Sequence, residues 1–113
     1  MTLKALSKIA PDWYTPDGQK DKPNPTRFKI RPLTPPEYES LLEVEGINFV
    51  IRPGRYADVL RMGLVDWENF SDENDQPVSH SIADHARIPG PIRIELATTI
   101  LIRSRLTPEE KKT

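Results

Sequence analysis

The sequence predicts a small, mainly helical α+β domain with a short β element, a Pro-rich N-terminal arm and a C-terminal helix. Three observations carry this reading. Residues 27–33, RFKIRPL, alternate, with Phe28, Ile30 and Pro32 on one side and Arg27, Lys29 and Arg31 on the other. Tyr56 to Met62 has helical spacing, with Tyr56, Val59, Leu60 and then Gly63 on one face. Ile92, Leu96, Thr99 and Ile100 form a second helical stripe, which Ala97 and Leu101 widen. The chain divides into an arm over residues 1–26, a globular part over 27–106 and a charged tail over 107–113.

The chain has 113 residues, of which 36% are hydrophobic and 29% charged. This suits one domain with a modest core. Most of its 12 prolines lie before residue 54, so the first half is expected to be rich in loops. Net charge is −1, which gives no global field to attract nucleic acid. There is no cysteine, which excludes disulfides and thiolate metal sites. No apolar run approaches the roughly 18 residues of a spanning helix. The N-terminal residues lack the apolar centre of a secretory signal, so the expectation is a cytosolic protein. Charge is nonetheless blocked. Residues 66–85 hold six acids and no base, and residues 86–106 hold four arginines against Glu95. Such blocks are either faces that complement one another within the fold or, for 66–85, a patch that meets a basic partner.

Element by element, Thr2 to Ile9 has the spacing of two helical turns. Five Pro or Gly residues then interrupt the arm, and Trp13 and Tyr14 stand out within it. They either dock on the domain or anchor a partner. The alternating strand at 27–33 carries Pro32, which places its end at a sheet edge. Thr34, Pro35 and Glu37 form a capping box with proline at the first helical position. Leu33 and Tyr38 have the spacing of a hydrophobic staple. The helix turns Tyr38, Leu41 and Leu42 inward, and Gly46 ends it. Residues 47–51, INFVI, read as a second short strand, broken by Pro53-Gly54. Helix 56–62 stops at Gly63, and Leu64, Val65 and Trp67 follow as packed linker or strand. Asp72 to Pro77 is a tight acidic turn. It lacks the glycine and bidentate glutamate of a calcium loop, because Pro77 and Ala83 occupy those places. Ser79 or Ser81 caps a short helix through Arg87, and the last helix runs from Pro91 to Arg105. Thr107 to Glu110 repeats the capping pattern.

Candidate chemistry is sparse. His80 and His85 are five apart, a spacing that turns them away from one another on a helix, with no third ligand nearby. Ser79, Asp84 and His85 make a triad on paper only, without a nucleophile elbow. No phosphate loop or dinucleotide fingerprint is present. Neither catalytic, cofactor-binding nor metal residues are predicted. Trp67 and Phe70 either plug the core or line a groove for a partner helix.

The run Leu60 to Phe70 (LRMGLVDWENF), the acidic turn Asp72-Glu73-Asn74-Asp75 and Pro77-Val78 resemble the tail assembly chaperones of long-tailed bacteriophages. The end Ser104 to Lys111 and the opening Phe28 to Thr34 fit the same pattern, so the resemblance covers about residues 27–111. It implies a non-enzymatic protein, without cofactor, that binds the tape measure protein during tail morphogenesis. It further implies the tail tube protein as a second partner, action in the host cytoplasm and absence from the mature virion. Self-association stays open, and neither nucleic acid nor membrane is expected as a partner. The partner-binding candidates are Tyr56, Val59, Leu60, Trp67, Phe70, Ile92, Leu96 and Ile100. The alternative is a phage structural or host-inhibitory protein acting through the acidic patch 66–85.

Overall fold

The computed structural model describes Thr2 and residues 10–105. The helix expected at 2–9 and the capped turn expected after Thr107 lie outside the described residues. Among the described residues five strands and three α-helices are formed: β1 (Asp12–Tyr14), β2 (Arg27–Ile30), α1 (Pro35–Leu41), β3 (Glu43–Glu45), β4 (Asn48–Val50), α2 (Tyr56–Gly63), β5 (Leu64–Glu68) and α3 (Gly90–Arg105). Short 3₁₀ turns occupy Asp17–Gln19, Pro53–Arg55 and Ile82–Arg87. The domain is α+β, with two small antiparallel sheets, ordered β1-β2-β5 and β3-β4. It is less helical than the sequence predicts, because residues of the supposed arm and of the 43–50 segment pair as strands.

β2 is therefore the central strand and not an edge. Asp12, Trp13 and Tyr14 pair with Ile30, Lys29 and Phe28 on one side, and β5 pairs on the other. Pro32 falls beyond the strand's end, so it costs no ladder hydrogen bond. β5 solves a phase problem. Leu64 and Trp67 are both buried, yet a spacing of three puts residues of a regular strand on opposite faces. The ladder slips between Lys29 and Ile30, where Lys29 opposes Asp66 and Ile30 opposes Leu64. Val65 is the extra residue and points outward, as expected for a bulge.

The described part of the arm belongs to the domain. The Tyr14 hydroxyl donates to Glu95 of α3, and the Asp17 N–H donates to the same carboxylate oxygen (3.0 Å). Pro16 is fully buried. Trp13 lies under Arg27 and Lys29, with cation–ring distances of 5.1 and 5.8 Å. Docking on the domain, rather than a free arm, accounts for both aromatics.

The capping box forms as predicted. The Glu37 N–H donates to Thr34 Oγ1 (3.2 Å) and the Thr34 N–H to Glu37 Oε1 (2.8 Å). α1 ends at Leu41, and Gly46 is no helix stop. It has φ +63° in the two-residue turn Gly46-Ile47 between β3 and β4. Ile47 has no positive φ, so this is the type II′ pattern that matches strand twist. Gly63 also differs from expectation. Its φ is not positive, so conformation does not demand glycine. Space does: a Cβ there would lie 2.8 Å from Ile100 Cγ2 and 3.2 Å from the Arg31 carbonyl oxygen. α2 thus packs its last turn directly on α3. The core comprises this helix pair, with Val59, Leu60, Leu96, Ala97 and Ile100, closed by Phe28, Ile30, Leu41, Leu64 and Trp67 of the flanking elements.

Candidate interaction surface

The apolar residues divide into two groups, those spent in the core and those left outside. Val59, Leu60, Leu96 and Ile100 have no exposed surface, and Trp67 is 6% exposed. None of the five can meet a partner in this fold, so they are corrected from binding candidates to core. The reason is the amphipathic period itself, since α2 and α3 present their apolar stripes to one another. Tyr56, Phe70 and Ile92 pack on the core edge and remain partly accessible.

Trp67 sits at the centre of an aromatic cluster. Phe28 and Phe70 lie 6.2 and 5.0 Å from it between ring centroids, and His80 stands edge-on at 4.8 Å. Its indole N–H donates to the Val78 carbonyl (2.6 Å), which pins the loop after β5. That loop closes on itself. Asp72 Oδ1 accepts from the Gln76 and Asn74 N–H groups (3.0 and 2.8 Å), which hold its carboxyl below the usual carboxylate range. Asp75 takes φ +60°. The turn thus uses Asp72 for backbone capping.

The two histidines meet, contrary to the helical argument. The segment between them is extended through Ser81 before the 3₁₀ turn begins, so the spacing of five does not separate them. His80 Nε2 lies 2.9 Å from His85 Nε2, one ring donating and the other accepting. Ser81 caps the turn through the Asp84 N–H (3.2 Å). His85 is buried. Desolvation first, then the charges of His80 and Arg93, push its pKa below the ordinary value, while Asp84 opposes them. Among the described residues no three His, Cys, Asp or Glu side chains converge as a metal site, and the paper triad does not assemble, since His85 Nε2 meets His80 and no hydrogen bond joins His85 to Ser79 or Asp84.

The three most exposed large apolar side chains lie on a hairpin that the sequence reading offered only in part, as a strand over 47–51, and not as a binding face. The β3-β4 hairpin carries Val44 (68% exposed), Ile47 (97%) and Phe49 (68%). Val44 and Phe49 are cross-strand partners and share one face, and Ile47 is at the tip. Beside the hairpin runs a cleft of about 370 Å³, lined among others by Tyr38, Leu42, Tyr56, Leu101 and Ile102. Arg52 braces the hairpin against Glu45 (3.5 Å) and Glu43 (4.0 Å). The signal was present in the sequence: Glu43-Val44-Glu45 and Asn48-Phe49-Val50 flank a Gly-X pair.

Three of the six acids of block 66–85 are engaged within the fold, and Asp66, Glu73 and Asp75 remain exposed. Glu68 pairs with Arg27 and Asp84 with Arg87, while Asp72 caps its own turn. No described helix is long and apolar enough to cross a membrane. Comparison with protein-family models, curated proteins and solved structures finds no match.

Proposed function

We propose that this chain is a non-enzymatic binding protein, a tail assembly chaperone of a long-tailed bacteriophage, that holds apolar helical segments of the tape measure protein. The observation that carries the reading is the apolar hairpin Val44, Ile47 and Phe49 beside a cleft edged by Tyr56, Leu101 and Ile102. Three large apolar side chains on one short hairpin gain nothing for the isolated chain, whereas an amphipathic partner helix would cover them. The pattern at Leu60 to Val78 supports the family. The partner face moves from the earlier candidates to the hairpin, with Tyr56 kept at its border. Action in the host cytoplasm, absence from the finished virion and a second contact with the tail tube protein belong to the same proposal. The rival reading through residues 66–85 keeps only the exposed Asp66, Glu73 and Asp75, since Glu68 and Asp84 are ion-paired within the fold.

The test is co-expression with fragments of the tape measure protein. A soluble complex is expected. The triple substitution Val44→Ser, Ile47→Ser, Phe49→Ser abolishes it while thermal melting stays within a few degrees of wild type. Val65→Ser, on the outer face of β5, leaves the complex intact. Raising salt changes affinity little, because apolar contacts dominate. A mixture that stays inert at micromolar concentrations would reject the proposal.

A further inference from the structure

A second cleft, bounded by α2, the 3₁₀ turn Ile82–Arg87 and α3, encloses about 300 Å³ and carries unbalanced positive charge. Arg61, Arg93 and His85 line it, and Asp58 is the only carboxylate among its lining residues. Asp58 is already occupied on both oxygens. Arg61 Nη2 lies 3.2 Å from Oδ1 and Arg55 Nε lies 3.3 Å from Oδ2. Asp84, on the neighbouring turn, is engaged by Ser81 and Arg87. The first turn of α3 offers no acid.

Arg93 is left without an anion. Among the described residues no carboxylate pairs with it. Its Nε is closed off from solvent and has no hydrogen-bond acceptor. Arg55 Nε also lacks an aligned acceptor, but the Asp58 carboxylate stands beside it. Nε itself is shut off from an incoming ligand, so what Arg93 offers the cleft it lines is a guanidinium whose charge no carboxylate balances. Arginine's planar fork suits a two-oxygen acceptor.

We infer that this cleft binds a small oxyanion group, a phosphate or a carboxylate, with Arg93 as its anchor and Arg61 as the second cation. The site shares no lining residue with the cleft beside the hairpin and does not depend on the tape measure reading. Asp58 sets the selectivity: it neutralises one arginine and leaves room in the charge balance for a single anionic group.

The experiment replaces sodium chloride by sodium phosphate at constant ionic strength and follows both the melting temperature and the Arg93 Nε–H resonance. In the wild type, melting rises and that resonance shifts along a saturable curve. Arg93→Gln weakens phosphate binding about tenfold or more, as loss of a charge-assisted fork predicts. Arg61→Gln weakens it less. Arg52→Gln, on the hairpin, leaves it unchanged. Sodium acetate in place of phosphate separates the sources. A phosphate-only response assigns a phosphoryl group, and an equal acetate response assigns a carboxylate. Should Arg93→Gln fold poorly, the wild-type resonance decides alone. An unmoved Nε–H up to tens of millimolar phosphate, or the same response in Arg93→Gln, overturns the inference.

Discussion

Glu37 is tied to the fold by charge and by geometry together. Its two oxygens meet the Arg31 fork at 2.9 and 2.8 Å, and one of them also accepts the Thr34 N–H. The Arg31 hydrogen bonds first, helped by the Thr34 backbone, lower its pKa from 4.5 to about 2. A depressed carboxyl adds stability that is complete above 4.5 and is lost as pH falls toward 2. Glu37→Gln keeps an acceptor for Thr34 but removes the charge. It should cost about 1 kcal/mol at neutral pH, and urea unfolding should show the gap from wild type narrowing by pH 3. His85 works in a different window. Burial, His80 and Arg93 lower its pKa from 6.5, and Asp84 alone opposes them. The unfolded chain therefore takes up its proton first, so the contribution is complete above pH 6.5 and falls away below it. A second proton also removes the acceptor of the His80–His85 bond. Urea midpoints at pH 7.5 and 5.5 should fall more steeply in wild type than in His85→Leu.

At the scale of elements, what was legible was what is local. The capping box at Thr34, the stripe of α3 and the stripe of α2 are fixed by spacing within one segment, and all three formed. The hairpin was misread because Gly46 fits two patterns, a helix stop and a II′ turn, and only Leu42 turning extended decides between them. The β5 bulge, the pairing of β1 and the meeting of His80 with His85 depend on chain returning from elsewhere, which no spacing encodes. The same division explains why five of the binding candidates lie in the core: periodicity finds apolar faces but does not say which face a neighbour covers. Gly63 is the sharpest instance. It looked like a cap, and it is a contact between α2 and α3. Gly63→Ala should destabilise by about 1–3 kcal/mol, since Ile100 Cγ2 stands 2.8 Å from the new methyl and backbone lies behind it. Gly63→Ala combined with Ile100→Val should recover part of the loss. A Gly63→Ala melting temperature equal to wild type would remove steric contact as the reason for glycine.

For the whole molecule, the open question is whether the strap over residues 12–17 is a part of the cooperative unit or a cover on it. β1 has three residues, and its hydrogen-bonded anchor on the helical layer is Glu95, which accepts from both the Tyr14 hydroxyl and the Asp17 N–H, with Arg103 of α3 lying over the Tyr14 ring (5.6 Å). The α2–α3 interface, in contrast, is closed by side chains with no exposed surface. Stability of that kind is unevenly distributed, and short edge elements with few buried contacts open first. Glu95→Ala leaves both donors without their acceptor and should cost about 1–3 kcal/mol locally. Tyr14→Phe removes one donor and should cost less, and the double substitution should cost less than the two costs added, because both act on one carboxylate. Native-state hydrogen exchange distinguishes the two architectures. In Glu95→Ala, the β1 amides should exchange faster while those of α2 and α3 keep their wild-type protection. Equal acceleration everywhere would make the strap part of the core unit.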